Sequence, residues 1–143
     1  MRPIAVSIIA GAALALAPFA APSSQADVLL GFQTPSGNMH CQYFSDARAT
    51  ELRCDLLQND APLPPRPRDC DLDYGNAFAV TPRGRASRVC AGDTTANPDN
   101  PIVDYGTTWK RNGFSCVSST TGLTCTNRVG HGFRLARKKQ TLF

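Results

Sequence analysis

Two imidazoles, His40 and His131, make up the chain's whole complement of histidine. With Lys or Arg nearby, such a pair suits the acid and base steps of phosphodiester cleavage, in a ribonuclease-like site assembled from strands at opposite ends of the chain. The competing reading is structural: His40 opposes Asp55 across a hairpin on a half-solvated face, and His131, flanked by glycines, sits in a turn. Other catalytic chemistry has less to build on. There is no G-x-S-x-G elbow, and Ser36 in TPSGN lies in a turn sequence. Glu51 is the single glutamate and no carboxylates show a paired spacing, which leaves glycosidase chemistry without its two acids.

The other reactive set is six cysteines, at 41, 54, 70, 90, 116 and 125. None of their spacings is the tight knuckle typical of zinc ligands. An even count in a small exported domain points instead to three disulfides, formed in an oxidising compartment and supporting a modest core. Export is indicated by the opening, MRPIAVSIIAGAALALAPFAAPSSQAD, in which Arg2 precedes an apolar run from Ile4 to Ala17 and then small residues and prolines. Ser24 and Ala26 fit a signal-peptidase site, so residues 1–26 read as a signal peptide and 27–143 as a single secreted domain. The apolar run is shorter than the roughly 20 residues that span a bilayer, so no transmembrane anchor is expected. Without Arg2, fourteen Lys and Arg face eleven Asp and Glu. That balance is too mild to point to nucleic acid.

The cysteines must be positioned by strands. If Cys41 opposes Cys54, one hairpin face carries Met39, Cys41, Tyr43, Leu52, Cys54 and Leu56, a wholly apolar set, while the reverse holds His40, Gln42, Phe44, Glu51, Arg53 and Asp55, with residues 46–49 at the tip. A slip of one residue would destroy this sorting. Opposing Cys116 to Cys125 likewise puts Phe114, Cys116, Leu123 and Cys125 together, joined through a four-residue loop, Ser119 to Gly122, with Gly122 at positive φ. The two hairpins share motif order, a weak internal repeat. By elimination Cys70 pairs with Cys90, although fifteen connectivities are formally possible.

Between the first hairpin and Cys70, APLPPRPRDC reads as an extended surface connector. GDTTANPDNP, residues 92–101, collects turn formers; its Asp93, Asn97, Asp99 and Asn100 carry oxygens that suit Ca2+ but lack calcium-loop spacing, and turn chemistry accounts for them. Further strands are expected over residues 77–81, from Ile102 to Trp109 with a bulge at Tyr105-Gly106, and around Phe133 to Leu135. Trp109 is expected to be partly buried in the core. The basic cluster Arg134, Arg137, Lys138 and Lys139 reads either as a solvated end or as a patch for anionic partners. No sustained helical period appears after Asp27, so the domain is all-β, a small disulfide-stabilised antiparallel sandwich or partly open barrel of about seven strands built on two cross-linked hairpins.

In order, FQTPSGNMHC, LRCDL, the Pro-rich step to RDC, VCAGDT, DYGTTW, GFSC, GLTCTN and GHGF resemble a family of small exported bacterial domains of unknown function. The resemblance spans nearly all of residues 31–143 and implies a secreted, disulfide-bonded domain, with no activity, cofactor or catalytic residue attached. The function expected is therefore a noncatalytic exported binding or envelope-associated module, its disulfide frame presenting the Pro-rich and GDTTANPDNP loops to an envelope polymer or another secreted protein. The alternative is a small nuclease-like hydrolase using His40 and His131. No cofactor or metal is expected.

Overall fold

The computed structural model describes residues 30–143, so the signal-peptide reading of 1–26 falls outside the described residues. Ten strands follow one another as two antiparallel meanders. The first sheet runs β1 (Leu30–Gln33), β2 (Met39–Ser45), β3 (Thr50–Leu56), β4 (Asp73–Val80) and β5 (Ser87–Ala91). The second runs β6 (Thr108–Arg111), β7 (Phe114–Ser119), β8 (Gly122–Thr126), β9 (Gly132–Ala136) and β10 (Lys139–Leu142). They face each other as a sandwich over one core, so of the two expected architectures it is the sandwich that forms. No helix among the described residues is long and apolar enough to cross a membrane.

The inner faces explain the pairing. In the first sheet Phe32 opposes Cys41, Cys41 opposes Cys54, and Cys54 opposes Phe78. In the second sheet the same row reads Trp109, Cys116, Cys125, Phe133. The two rows stack on each other, with Phe32 and Trp109 ring centroids 4.9 Å apart and Phe78 and Phe133 6.2 Å apart. Between the aromatic ends lie the two hairpin bridges, Cys41–Cys54 and Cys116–Cys125, close enough that the sulfurs of Cys41, Cys54 and Cys125 fall within 4.8 Å of one another. Phe32, Phe78, Phe114 and Phe133 and the leucines at 52, 56, 123 and 135 are sealed from solvent. Burying each such side chain contributes about 1.5–3 kcal/mol. The motif repeat thus corresponds to a repeated inner row. Cys70–Cys90 is different: it ties the connector before β4 to edge strand β5.

Several expectations shift. Strands β1, β5 and β10, absent from the seven expected, are all edge strands. The strand expected over Ile102 to Trp109 is reduced to a single parallel bridge between Ile102 and Gln33, after which Asp104 accepts the Thr107 N–H in a turn and β6 begins only at Thr108. Pro101 has no N–H for a ladder, and Gly106, at φ 86°, turns the chain from one sheet to the other. Ser119 pairs with Gly122, leaving a two-residue Thr120-Thr121 turn in place of a four-residue loop, with Gly122 at φ 138° as expected. Arg137 to Lys139 do not trail a last strand; they form the β9–β10 turn and the start of β10.

Candidate functional site

His40 and Asp55 do sit opposite each other, but both are closed to solvent. The reverse face of the first hairpin, expected half-solvated, stays so at Gln42, Phe44 and Glu51, but its His40, Arg53 and Asp55 end is covered by residues 93–101. Arg53 is the anchor. It grips Asp55 through Nε and Nη2 at 2.9 and 3.1 Å and reaches the Asp93 carboxylate and carbonyl, both at 2.8 Å. Burial alone would lower the Arg53 guanidinium, yet the hydrogen bonds and charges of Asp55 and Asp93 outweigh it and hold it above its ordinary value. The Thr95 N–H donates to Asp55 and its hydroxyl to the His40 carbonyl. The Gln33 amide closes the far side by donating to the carbonyls of Pro98 and Asn100. GDTTANPDNP is therefore a clamp across the sheet and not a freely presented loop. Its oxygens serve the clamp and local turns: the Asp93 carboxylate accepts from Arg53, and Asn97 Oδ1 accepts the Asp99 N–H.

The His40 ring is part of that clamp. Nδ1 accepts the Asn97 N–H at 3.2 Å, so Nε2 carries the hydrogen and donates it to the Gly37 carbonyl at 3.1 Å. Both nitrogens are committed to backbone. His131 lies elsewhere, in the β8–β9 loop organised by Asn127, whose Oδ1 accepts the His131 N–H and whose amide donates to Thr81 and Gly84. Thr81 lies four residues past Ala77, the partner of Asp55, or about 13 Å along a strand at about 3.3 Å per residue. The fold brings His40 and His131 to opposite ends of the sandwich, one on an outer face and one in a loop of the other sheet. Among the described residues, the potential metal donors that gather are the sulfurs of Cys41, Cys54 and Cys125, all in bridges and without a thiolate to offer.

At the His40 end the two sheets leave a cleft of about 350 Å³ between the β1–β2 turn and the β7–β8 and β9–β10 turns. Its lining is rich in hydroxyls and amides, from Thr34, Ser36, Asn38 and Gln58 on one wall and Ser119 to Thr121 on the other, with Tyr105 at the rim. Tyr105 is 42% exposed. Asn38 is fixed by reciprocal bonds with the Gln58 backbone, and the Ser119 hydroxyl donates to the Gly122 carbonyl, so the walls are set by local structure. The expected basic cluster divides here. Arg137 lines the cleft and pairs with Asp60 at 2.7 Å. Arg134 reaches the Thr121 hydroxyl at 3.3 Å from the outer face, and Lys138 and Lys139 stay exposed.

A model of a family of unknown function (DUF6636) matches residues 9–143. The chain belongs to this family. No curated protein and no solved structure matches it. For this DUF6636 member the geometry above is accordingly the ground for a functional reading. Apart from Arg137, the cleft residues carry no site signal in the sequence, because their polar types look like ordinary turns until the fold sets three turns side by side.

Proposed function

We propose that the chain is an exported, noncatalytic binding module of the cell envelope that takes a sugar-bearing polymer in the cleft. The observation carrying this reading is the lining: Ser, Thr, Asn and Gln side chains that both donate and accept hydrogen bonds, beside an exposed tyrosine ring, in a concavity whose walls are pre-formed. Tyrosine gives an apolar face and a polar tip to one ligand. Export is supported by the apolar N-terminal segment and by three disulfides, which persist in oxidising compartments. The alternative of a nuclease-like hydrolase with His40 and His131 has no geometric observation in its favour.

The test is retention of the exported chain on insoluble envelope polysaccharide from the producing cell, against Tyr105→Ala. Binding by the parent and weakening by about tenfold in the variant, or about 1.4 kcal/mol, is the expected result. Equal retention of the two, or sugar or phosphodiester hydrolysis that His40→Ala abolishes, overturns the reading.

A further inference from the structure

All eleven Asp and Glu precede Tyr105, whereas seven of the fifteen Lys and Arg follow it. A mild net charge thus conceals a segregated one. Because the second sheet is built entirely from residues after Tyr105, it contains no carboxylate side chain. Its outer face is ordered as well as basic. One row crosses all five strands as Thr108, Val117, Thr124, Arg134 and Thr141, and the next carries Lys110, Ser115 and Thr126. Thr108, Lys110, Val117, Arg134 and Thr141 are exposed. With strands about 4.8 Å apart, the first row spans about 19 Å.

From this we propose that the outer face of the second sheet is a docking surface for an anionic, carboxylate-bearing polysaccharide. Charge complementarity sets the sign of the partner, since cations on a face free of acids attract and concentrate a polyanion. The hydroxyl rows set its class. Threonine and serine at strand spacing meet sugar hydroxyls as both donors and acceptors. Phe143, paired with Gly132 at the edge of the sheet, is the face's single aromatic side chain, one ring where a single-stranded nucleic acid would stack base after base, and Phe143 and Val117 together are too little apolar surface to enter a bilayer. The proposal rests on the binding-module reading and adds a second surface, distinct from the cleft.

The experiment is affinity electrophoresis and bead retention of the exported chain with alginate. Uncharged dextran, vesicles containing phosphatidylserine, and single-stranded DNA serve as competing probes. The variant K110E/R134E/K139E replaces three exposed cations, surface substitutions that leave the core untouched, and an unchanged melting temperature checks that the fold survives. The expected result is alginate binding that weakens as salt rises, drops by about tenfold in the charge-reversed variant as the attracting field is removed, and persists in Tyr105→Ala. Equal binding by parent and charge-reversed chains overturns the proposal. So does binding to vesicles or DNA in preference to alginate. Loss of alginate binding in Tyr105→Ala moves the polyanion to the cleft and also overturns the face. A parent chain that ignores alginate yet is retained on envelope polysaccharide through Tyr105 defeats this inference alone and leaves the cleft reading standing.

Discussion

Directly after its second hairpin cysteine the first sheet carries Asp55, and the second, at the same place in its repeated row, carries Thr126. Asp55 is buried and bound to Arg53 and Thr95, whereas Thr126 looks outward from an uncovered face. The inner rows match residue for residue in kind. The outer faces have parted: one is a platform on which the chain folds its own loop, the other is a hydroxylated, cationic surface left open. Shared architecture here fixes the core, and the divergence shows which face is tied up in holding the molecule together and which is free to meet something else.

The strongest way to break the comparison is to remove what the sheets have in common. Each hairpin bridge contributes about 3 kcal/mol in the loop-entropy description. Replacing Cys41, Cys54, Cys116 and Cys125 by Ala therefore removes a total comparable with a net stability of about 5–15 kcal/mol. The expected outcome is no cooperative thermal transition by circular dichroism. Single-pair variants should lower the melting temperature by similar amounts. A pair whose loss is silent would mean that the repeated rows do not bear equal weight.

Next comes Asp55→Ala against Thr126→Ala. Removing Asp55 strips a buried guanidinium of its bidentate partner, and breaking such a pair costs about 3–5 kcal/mol; Asp93, still on Arg53, keeps the loss near the lower end. The matching change on the open face should stay within about 0.5 kcal/mol. Urea denaturation measures both, and equal losses would erase the distinction between the faces.

The smallest effect concerns pH. Hydrogen bonding and charge from Arg53 hold Asp93 below the usual carboxylate range. Its contribution is complete above the unfolded value of about 3.9 and is lost as pH falls through the lower folded value. Glu51 runs the other way. Burial pushes it up despite Arg53 nearby, so it subtracts stability above its folded pKa and ceases to do so as pH falls below the unfolded one. Asp93→Asn should therefore lower the melting temperature at pH 7 and barely change it at pH 2, while Glu51→Gln should raise it at pH 7 and do little at pH 3. Asp93 is largely exposed, so solvent screening keeps its effect modest. A melting temperature for either variant that differs from the parent equally at all pH values would remove its carboxylate from the account.

What the sequence reveals follows from where hydrophobic alternation is enforced. Strands β2, β3, β7 and β8 are central, with neighbours on both sides, and their cysteine registers are legible because a slip would expose Leu52 or Leu123. The elements that escape are at edges. LGFQ, SRVCA and KQTL are short and carry polar or charged residues such as Gln33, Arg88 and Lys139, devices by which edge strands avoid pairing with other chains. The clamp was hidden for another reason: nothing local in Arg53 or Asp55 says that Asp93, forty residues on, will cover them. The cleft and the charge separation were hidden in the same way, the first because its turns are distant in sequence and the second because one whole-chain total averages an acidic stretch with a basic one.

The contact between the two hairpin bridges has a consequence for how the molecule acquires its crosslinks. When the sandwich has closed with one hairpin oxidised and the other still reduced, a thiolate of the second pair faces a finished bridge inside a space that glutathione cannot enter. Attack there yields a mixed disulfide between the sheets and frees a sulfur on the opposite strand. Scrambling between the hairpins is thus intramolecular, and maturation favours a history in which each hairpin is sealed before the two halves meet.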